Sequence, residues 1–218
     1  MKKLILLTFG IVIISNISKA QSGYFDEYRK NPYSRTLCTT GSCSFSDLSL
    51  IESYYGDRVD IEVLEESLDK LKDHFNKYQG KSRFISLLSP ECPRCIEGAI
   101  AIREGILDKY PDKDLSVTIV WVDMYSGDDY SSARRTARIL DDPRIKHFYD
   151  HDGIVGPAFA KSMGASYWES LREPAWDIYM FYSGDTSWET DLSVPDVTHT
   201  NLRLNLLRNL MSMVAVNT

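Results

Sequence analysis

The sequence has little positive charge and few cysteines. Its 218 residues include 25 Lys and Arg against 31 Asp and Glu, for a formal net charge of −6. No basic run is present, so nucleic acid and anionic membrane surfaces are poor partners. Long apolar runs are also missing after the first twenty residues, so we expect no later membrane span. The remaining length is sufficient for one domain with a full core.

The first twenty residues have the layout of a secretory signal peptide. A basic start, MKK, precedes the apolar run LILLTFGIVII, and Ser18 and Ala20 occupy the small-residue positions before a predicted cleavage point. Gln21 follows that point where a lipid anchor would need cysteine. Cleavage would remove three lysines and no acid, changing the net charge from −6 to −9. We expect an exported protein, periplasmic or extracellular, without a transmembrane segment after cleavage; an uncleaved anchor is the alternative.

Residues 21–80 are predicted to be an N-terminal extension. It starts as an irregular segment and then acquires helical periodicity. From Asp60 as N-cap to a turn at Gly80, apolar residues recur at three- and four-residue steps, which predicts an amphipathic helix. The residues on this face are Ile61, Leu64, Leu68, Leu71, Phe75 and Tyr78.

A strand–helix–strand unit follows. RFISLLS (83–89) is a short apolar run that ends before Pro90, as a buried strand does. A helix over 93–109 is predicted to start at or just after Cys92, because Pro93 suits a first helical turn. LSVTIVWVD (115–123) is rich in β-branched residues and predicts the next strand. A connection of this kind favours a parallel pair.

The remaining segments are shorter. We expect a helix over 130–140, a strand over 145–150 and a helix over 154–164 closed by Gly164. After Pro174, a strand through about Tyr182 and a second strand directly after the Ser-Gly-Asp turn predict a hairpin. The chain then predicts a C-terminal helix capped by Thr198.

In this order the elements resemble the thioredoxin superfamily. The resemblance spans roughly residues 83–216 and rests on LLSPECPRC, VTIVWVD and EPAWDIYMFYSG, the last similar to the family's segment of cis-proline, strand and glycine turn. It implies an α/β fold with a central mixed sheet flanked by helices. The thioredoxin-like domain would cover 81–218, with the helical extension before it and an insertion between Asp123 and Pro174. It also implies that Pro174 is the cis-proline, with Trp176 a candidate for the rim of the site.

The same resemblance implies a thiol–disulfide oxidoreductase that exchanges disulfides with protein partners. Cys92, at a helix start, would be the nucleophilic thiolate, because unpaired N–H groups and the helix dipole stabilise an anion there. Cys95, one turn inside, would be the resolving thiol. Pro93 stands between them where the family often has glycine. Glu91 and Arg94 place opposite charges beside the pair, so the sequence does not predict the direction of the net pKa shift. A redox recycling partner is implied, and no cofactor or metal is expected.

The second cysteine pair is Cys38 and Cys43 in CTTGSC. Because export favours bonded cysteines, a structural disulfide that ties down the extension is the expected role, with a second redox pair as the alternative. Two other functions stay open for the whole chain. One is a binding or scaffold protein whose Cys92–Cys95 bond is inert. The other is a metal-handling protein that uses the four cysteines as soft ligands.

Overall fold

The computed structural model describes residues 59–164 and 174–200, together with Ser212 and Val214. All of them belong to one compact unit, Leu48–Thr218. Within the described residues, six strands form one mixed sheet in the order β1-β4-β3-β2-β5-β6. The strands are β1 (Ile61–Leu64), β2 (Ser82–Leu88), β3 (Leu115–Val122), β4 (Ile145–Asp150), β5 (Ile178–Tyr182) and β6 (Val197–Thr200). The helices are α1 (Asp69–Lys77), α2 (Pro93–Ile102), α3 (Tyr130–Ala137) and α4 (Val155–Met163).

The centre of the sheet is the predicted strand–helix–strand unit. β2 and β3 are parallel, and α2 connects them, continuing through Leu107 with π-type hydrogen bonds. Every residue of β3 is buried, which requires cover on both faces of the sheet. The apolar runs of the sequence therefore correspond to strands that are buried on both faces of the sheet.

The region between β3 and β5 adds a further parallel strand. β4 pairs with β3, and the carboxylate of buried Asp150 at its end accepts hydrogen bonds from the N–H groups of Ile154 and Val155 at the start of α4. α3 continues as a 3₁₀ turn to Leu140, and Gly164 ends α4 with φ 80°. The three elements predicted over 130–164 are thus confirmed within a residue or two.

The predicted helix from residue 61 is wrong at its start. Ile61–Leu64 is β1, which pairs in parallel with β4, and α1 begins only at Asp69. Asp60 is therefore no helix cap; the Oγ of Ser67 accepts the Asp69 N–H instead. Leu64 fits both the spacing of a helix and the buried face of a strand. The strand forms because β4 offers an edge with which residues 61–64 can pair. The sheet thus begins upstream of residue 81.

The predicted hairpin is also partly wrong. β5 is antiparallel to β2 and to β6, but β6 does not follow the Ser-Gly-Asp turn directly, because residues 183–196 intervene. Buried Arg83 donates to the carbonyls of Ser183, Gly184 and Thr186, and Trp188 stacks on Phe75 at 3.6 Å. These long-range contacts hold residues 183–188 against the core before the chain continues into β6.

Thr198, predicted to cap a C-terminal helix, lies in β6 opposite Met180. The predicted helix itself falls outside the described residues, apart from Ser212 and Val214, which are helical. None of the described helices is long and apolar enough to cross a membrane.

Candidate active site

The cysteine motif lies where the sequence predicted it, between β2 and α2. Cys92 is the N-cap residue of α2, with extended backbone angles, and Pro93 is the first helical residue. The Cys92 carbonyl accepts the N–H of Ile96, which closes the first turn of the helix. Cys95 is therefore one turn inside the helix and on the same side as Cys92. Both cysteines are free thiols in this structure.

The environment of Cys92 favours its thiolate. The thiol of Cys95 donates a hydrogen bond to the Cys92 sulfur, and the backbone N–H groups of Cys95 and Arg94 add two more. Burial and the negative charge of Asp177 act in the opposite direction. The donors prevail and lower the pKa of Cys92 from 9.0 to about 7. At neutral pH a large share of this residue is thus anionic.

Cys95 has the opposite character. Its side chain is completely buried, and burial raises its pKa well above 9.0. Donation of its own proton to Cys92 and the charge of Asp177 raise it further. The pair therefore holds one thiolate and one thiol at neutral pH, which is the charge state that thiol–disulfide exchange requires.

The two charged residues of the motif, Glu91 and Arg94, lie in different environments. The Glu91 carboxylate pairs with Arg135 at 3.3 Å and lies against Gly127. Burial raises the pKa of Glu91, more than Arg135 lowers it. Arg94 is exposed, and its contribution to Cys92 comes from its backbone N–H. Pro93 is also exposed.

Pro174 lies before β5, against the start of α4. The N–H of Ala175 donates to the Gly156 carbonyl at 3.1 Å, and a Cβ at Gly156 would come within 2.8 Å of the Pro174 Cβ. The peptide bond that precedes Pro174 joins it to Glu173, which is outside the described residues. That this peptide bond is cis therefore stays a prediction.

Two residues near the sulfurs were missed by sequence reasoning. Asp177 is 7% exposed and has φ 50°, an uncommon angle for a residue with a side chain; its Oδ1 accepts the hydroxyl of Tyr179 at 3.0 Å. Tyr125 lies on the loop after β3, and its pKa is raised by burial and by its interaction with Cys92. Its ring packs edge-on against Trp176, with centroids 5.8 Å apart. That Trp176 borders the site stays a prediction. A usable signal was the position of Tyr125 at the carboxyl end of a parallel strand, where ligand sites concentrate.

A third missed residue, Asp128, holds the two loops of the site together. Its carboxylate accepts hydrogen bonds from the Ser89 hydroxyl at 2.7 Å and the Glu91 N–H at 3.0 Å, both on the loop before Cys92. It also accepts the N–H groups of Met124 and Tyr125, at 2.7 and 2.8 Å, on the loop after β3. One carboxylate therefore fixes the position of Tyr125 relative to Cys92.

Cys38 and Cys43 lie outside the described residues, so their pairing stays a prediction. Among the residues that the structure does describe, no group of three or more His, Cys, Asp and Glu side chains is placed to hold a metal ion.

The described residues form the α/β fold, with a central mixed sheet flanked by helices, that the sequence implied. A parallel strand–helix–strand unit carries the cysteine pair at its helix start, and two antiparallel strands complete the sheet beside it. No family model matches the sequence, and neither does any curated protein.

Several solved structures are similar to this chain at low sequence identity. One is a secreted Mycobacterium tuberculosis disulfide oxidoreductase homologous to E. coli DsbE, 15% identical, with TM-score 0.38 over 64% of this chain and 84% of that one. A second is M. tuberculosis DsbF, 14% identical, with TM-score 0.41 over 66% and 85%. A third is the exposed lipoprotein thioredoxin Etrx1 of Streptococcus pneumoniae, 14% identical, with TM-score 0.37 over 62% and 87%.

Proposed function

We propose that this protein is an exported thiol–disulfide oxidoreductase that exchanges disulfides with protein partners through Cys92 and Cys95. The observation that carries the proposal is the asymmetry of the pair. A thiol with a pKa of about 7 at a helix start accepts a hydrogen bond from a fully buried thiol whose pKa is raised. A purely structural cysteine needs neither property.

In the reductive direction, the Cys92 thiolate attacks one sulfur of a partner's disulfide. The partner's S–S bond breaks, a mixed disulfide forms on Cys92, and the departing thiolate takes up a proton. Cys95 then loses its proton and attacks the Cys92 sulfur, which releases the partner's second thiolate. Two electrons have passed from the pair to the partner, and Cys92–Cys95 is a disulfide. The oxidative direction is the reverse of these steps.

Loss of the shared hydrogen bond explains why the second step can occur. While Cys92 is a thiolate, Cys95 donates to it and stays protonated. Once Cys92 is in a mixed disulfide, that negative charge is gone and one cause of the raised pKa of Cys95 is removed. The resolving thiol is thus activated by formation of the intermediate that it must cleave.

Pro174 is proposed to face the pair as a cis-proline. Having no N–H, it can lie against the sulfurs without donating to them, and it leaves the adjoining backbone available to an extended substrate.

The signal-peptide pattern of residues 1–20 supports export, and an oxidising compartment supports a structural Cys38–Cys43 disulfide. A redox partner of unknown identity would recycle the pair.

Thiol trapping tests this function. The mature protein, cleaved after Ala20, is equilibrated in buffers of graded reduced and oxidised glutathione, and its free thiols are trapped and counted. We expect Cys92–Cys95 to open and close reversibly within the physiological range. A bond that stays closed until the protein is denatured would identify a binding or scaffold protein, and zinc or copper retained through chelation would identify a metal-handling protein.

A trapping variant identifies the partner. Replacement of Cys95 by Ser blocks resolution, so a substrate protein should remain covalently bound to Cys92 and be released by reductant. The matched control is Cys92→Ser/Cys95→Ser, which should capture nothing.

A further inference from the structure

The segment directly before Cys92 is a turn that its own backbone closes only weakly. The N–H of Cys92 donates to the Ser89 carbonyl at 3.4 Å, which is longer than a well-formed hydrogen bond. Pro90, inside the turn, has no N–H with which to reinforce it. The shape of the turn therefore depends on contacts from other parts of the chain.

Asp128 supplies such contacts at both ends of the turn. Its Oδ2 accepts the hydroxyl of buried Ser89 at 2.7 Å, and its Oδ1 accepts the N–H of Glu91 at 3.0 Å. The same Oδ2 accepts the N–H groups of Met124 and Tyr125 on the loop after β3, at 2.7 and 2.8 Å. Four donors thus converge on one carboxylate, which ties the turn to a second loop.

The turn decides where the Cys92 sulfur lies. Cys92 is the N-cap of α2, and an N-cap side chain lies beside the N–H groups of the second and third helical residues, here Arg94 and Cys95. Pro93, the first helical residue, has no N–H, so those two groups are the first donors that the sulfur can meet. A turn with another shape would carry the sulfur away from them.

We infer that Asp128 is a positioning residue for Cys92: by fixing Ser89 and Glu91 it holds the sulfur against the first N–H groups of α2 and so stabilises the thiolate. The inference deepens the proposed function, on which its role in exchange rests. Two effects of the same carboxylate then have opposite signs. Its negative charge disfavours a nearby thiolate, whereas its hydrogen bonds favour the thiolate through the shape of the turn.

Asp128→Asn separates these two effects. The amide has one oxygen for four donors, and an oxygen at the Oδ2 position keeps three of them. The amide NH₂ then faces the N–H of Glu91, so that this hydrogen bond is lost. The variant therefore loses the negative charge and the link to the residue before Cys92, while the size of the side chain is unchanged.

Alkylation kinetics measure the outcome. The reduced full-length protein and its variants are treated with iodoacetamide from about pH 5 to pH 10, and modification of Cys92 is followed by mass spectrometry. The midpoint of the rate against pH reports the pKa of Cys92. The side chains of Cys95, Asp177 and Tyr125, which also act on Cys92, are present in every variant.

We expect Asp128→Asn to raise the midpoint by about half a pH unit or more, which is about a threefold loss of thiolate below the midpoint. A lowered midpoint would mean that Asp128 acts on Cys92 through its charge alone. An unchanged midpoint would mean that it only stabilises the fold. Either result would overturn the inference.

Ser89→Ala is a second variant that leaves the charge of the site unchanged. It removes the hydroxyl at one end of the turn and should raise the midpoint by a smaller amount. If Asp128→Asn fails to fold, Ser89→Ala decides the question, and a midpoint that is unchanged or lowered in Ser89→Ala would then overturn the inference.

Asp129→Asn is the matched control. The Asp129 carboxylate accepts the N–H of Ser132 at 2.6 Å and caps α3. The replacement makes the same change of charge one residue away and weakens the start of a helix, so thermal stability should fall while the midpoint stays the same or falls slightly. A rise equal to that of Asp128→Asn would contradict a specific role for Asp128.

Alkylation needs no catalytic turnover, so the result is independent of the glutathione experiment. A protein that fails to exchange with glutathione but shows the expected rise in Asp128→Asn would refute the proposed function and retain the inference. A protein that exchanges normally, with the same midpoint in Asp128→Asn as in the original, would do the reverse.

Discussion

Cys92 and Cys95 are the same residue type, two positions apart, and their pKa values move in opposite directions. Burial raises the pKa of both. The difference comes from hydrogen bonding: the Cys92 sulfur accepts from the Cys95 thiol and from the backbone N–H groups of Cys95 and Arg94, whereas the Cys95 thiol is a donor to Cys92. A helix start thus acts through specific N–H groups as well as through its dipole.

The largest single cause of the low pKa of Cys92 is the Cys95 thiol, which gives the first prediction. Cys95→Ala should raise the pKa of Cys92 from about 7 towards 9.0, measured as the midpoint of alkylation rate against pH. Cys95→Ser is the control, since its hydroxyl can still donate, and its midpoint should lie between the two. A midpoint of about 7 in Cys95→Ala would assign the shift to the backbone N–H groups alone.

His147 illustrates a residue whose protonation opposes folding. It is buried, its Nδ1 accepts the indole N–H of Trp121 at 3.2 Å, and its Nε2 therefore carries the hydrogen that points to the Leu140 carbonyl. If Nδ1 were also protonated, two N–H donors, that of His147 and that of the Trp121 indole, would face each other. Burial lowers the pKa of His147 from 6.5 to about 4, and burial does the same for His74.

We predict that these histidines make the protein less stable in mild acid. Because the folded pKa lies below the unfolded one, their contribution is complete above about pH 6.5 and is lost as the pH falls towards about 4. Urea unfolding at pH 7 and pH 4.5 measures the loss. His147→Gln and His74→Gln should each lose less stability between the two pH values than the original protein, and an equal loss in all three would assign the acid sensitivity to carboxylates.

At the scale of elements, α2 is held against β5 by a close contact. Gly98 lies directly over the hydroxyl of buried Tyr179, so that a Cβ at residue 98 would overlap it. The same hydroxyl donates a hydrogen bond to Asp177. The negative charge of Asp177 acts to raise the pKa of both Cys92 and Cys95. The glycine thus allows the helix that carries the motif to approach the strand that follows Pro174.

Gly98→Ala should therefore destabilise the protein by about 1–3 kcal/mol, the usual cost of overpacking a core. Gly127→Ala is a matched control, because the new Cβ would meet the Glu91 carboxylate, a flexible and partly exposed group, and should cost less. Adding Tyr179→Phe removes the overlapping oxygen. The cycle compares the denaturant unfolding of the original protein, Gly98→Ala, Tyr179→Phe and Gly98→Ala/Tyr179→Phe. The double variant should lose less stability than the sum of the two single variants, and strict additivity would contradict the contact.

At the scale of the whole molecule, the core reaches back beyond the predicted domain boundary at residue 81. Leu64 of β1 and Leu71 and Phe75 of α1 are buried in one cluster with residues of β2–β5 and α4. Phe75 also lies between the stacked ring of Trp188 and the guanidinium of Arg83. β1 and α1 therefore contribute to the same core as the cysteine-bearing unit.

Truncation tests this boundary. A protein that begins at Lys81 lacks these three core side chains, each worth about 2–5 kcal/mol when truncated, against a total stability of about 5–15 kcal/mol. We expect it to lose its cooperative thermal transition. A protein that begins at Leu48, the start of the compact unit, should keep that transition. A normal melting curve for the Lys81 variant would show that the extension is separable from the domain.

Elements with local signals could be predicted from the residues alone. The apolar runs of β2 and β3 and the proline after Cys92 were enough to place the motif at a helix start, because strand burial and first-turn geometry depend on neighbouring residues. That Ile61–Leu64 is a strand and that residues 183–196 precede β6 could not be predicted in this way, since each depends on a distant partner. The same holds for Tyr125 and Asp128. Their residue types carry no motif, and they lie on loops that parallel strands bring to the same edge of the sheet as the segment before Cys92.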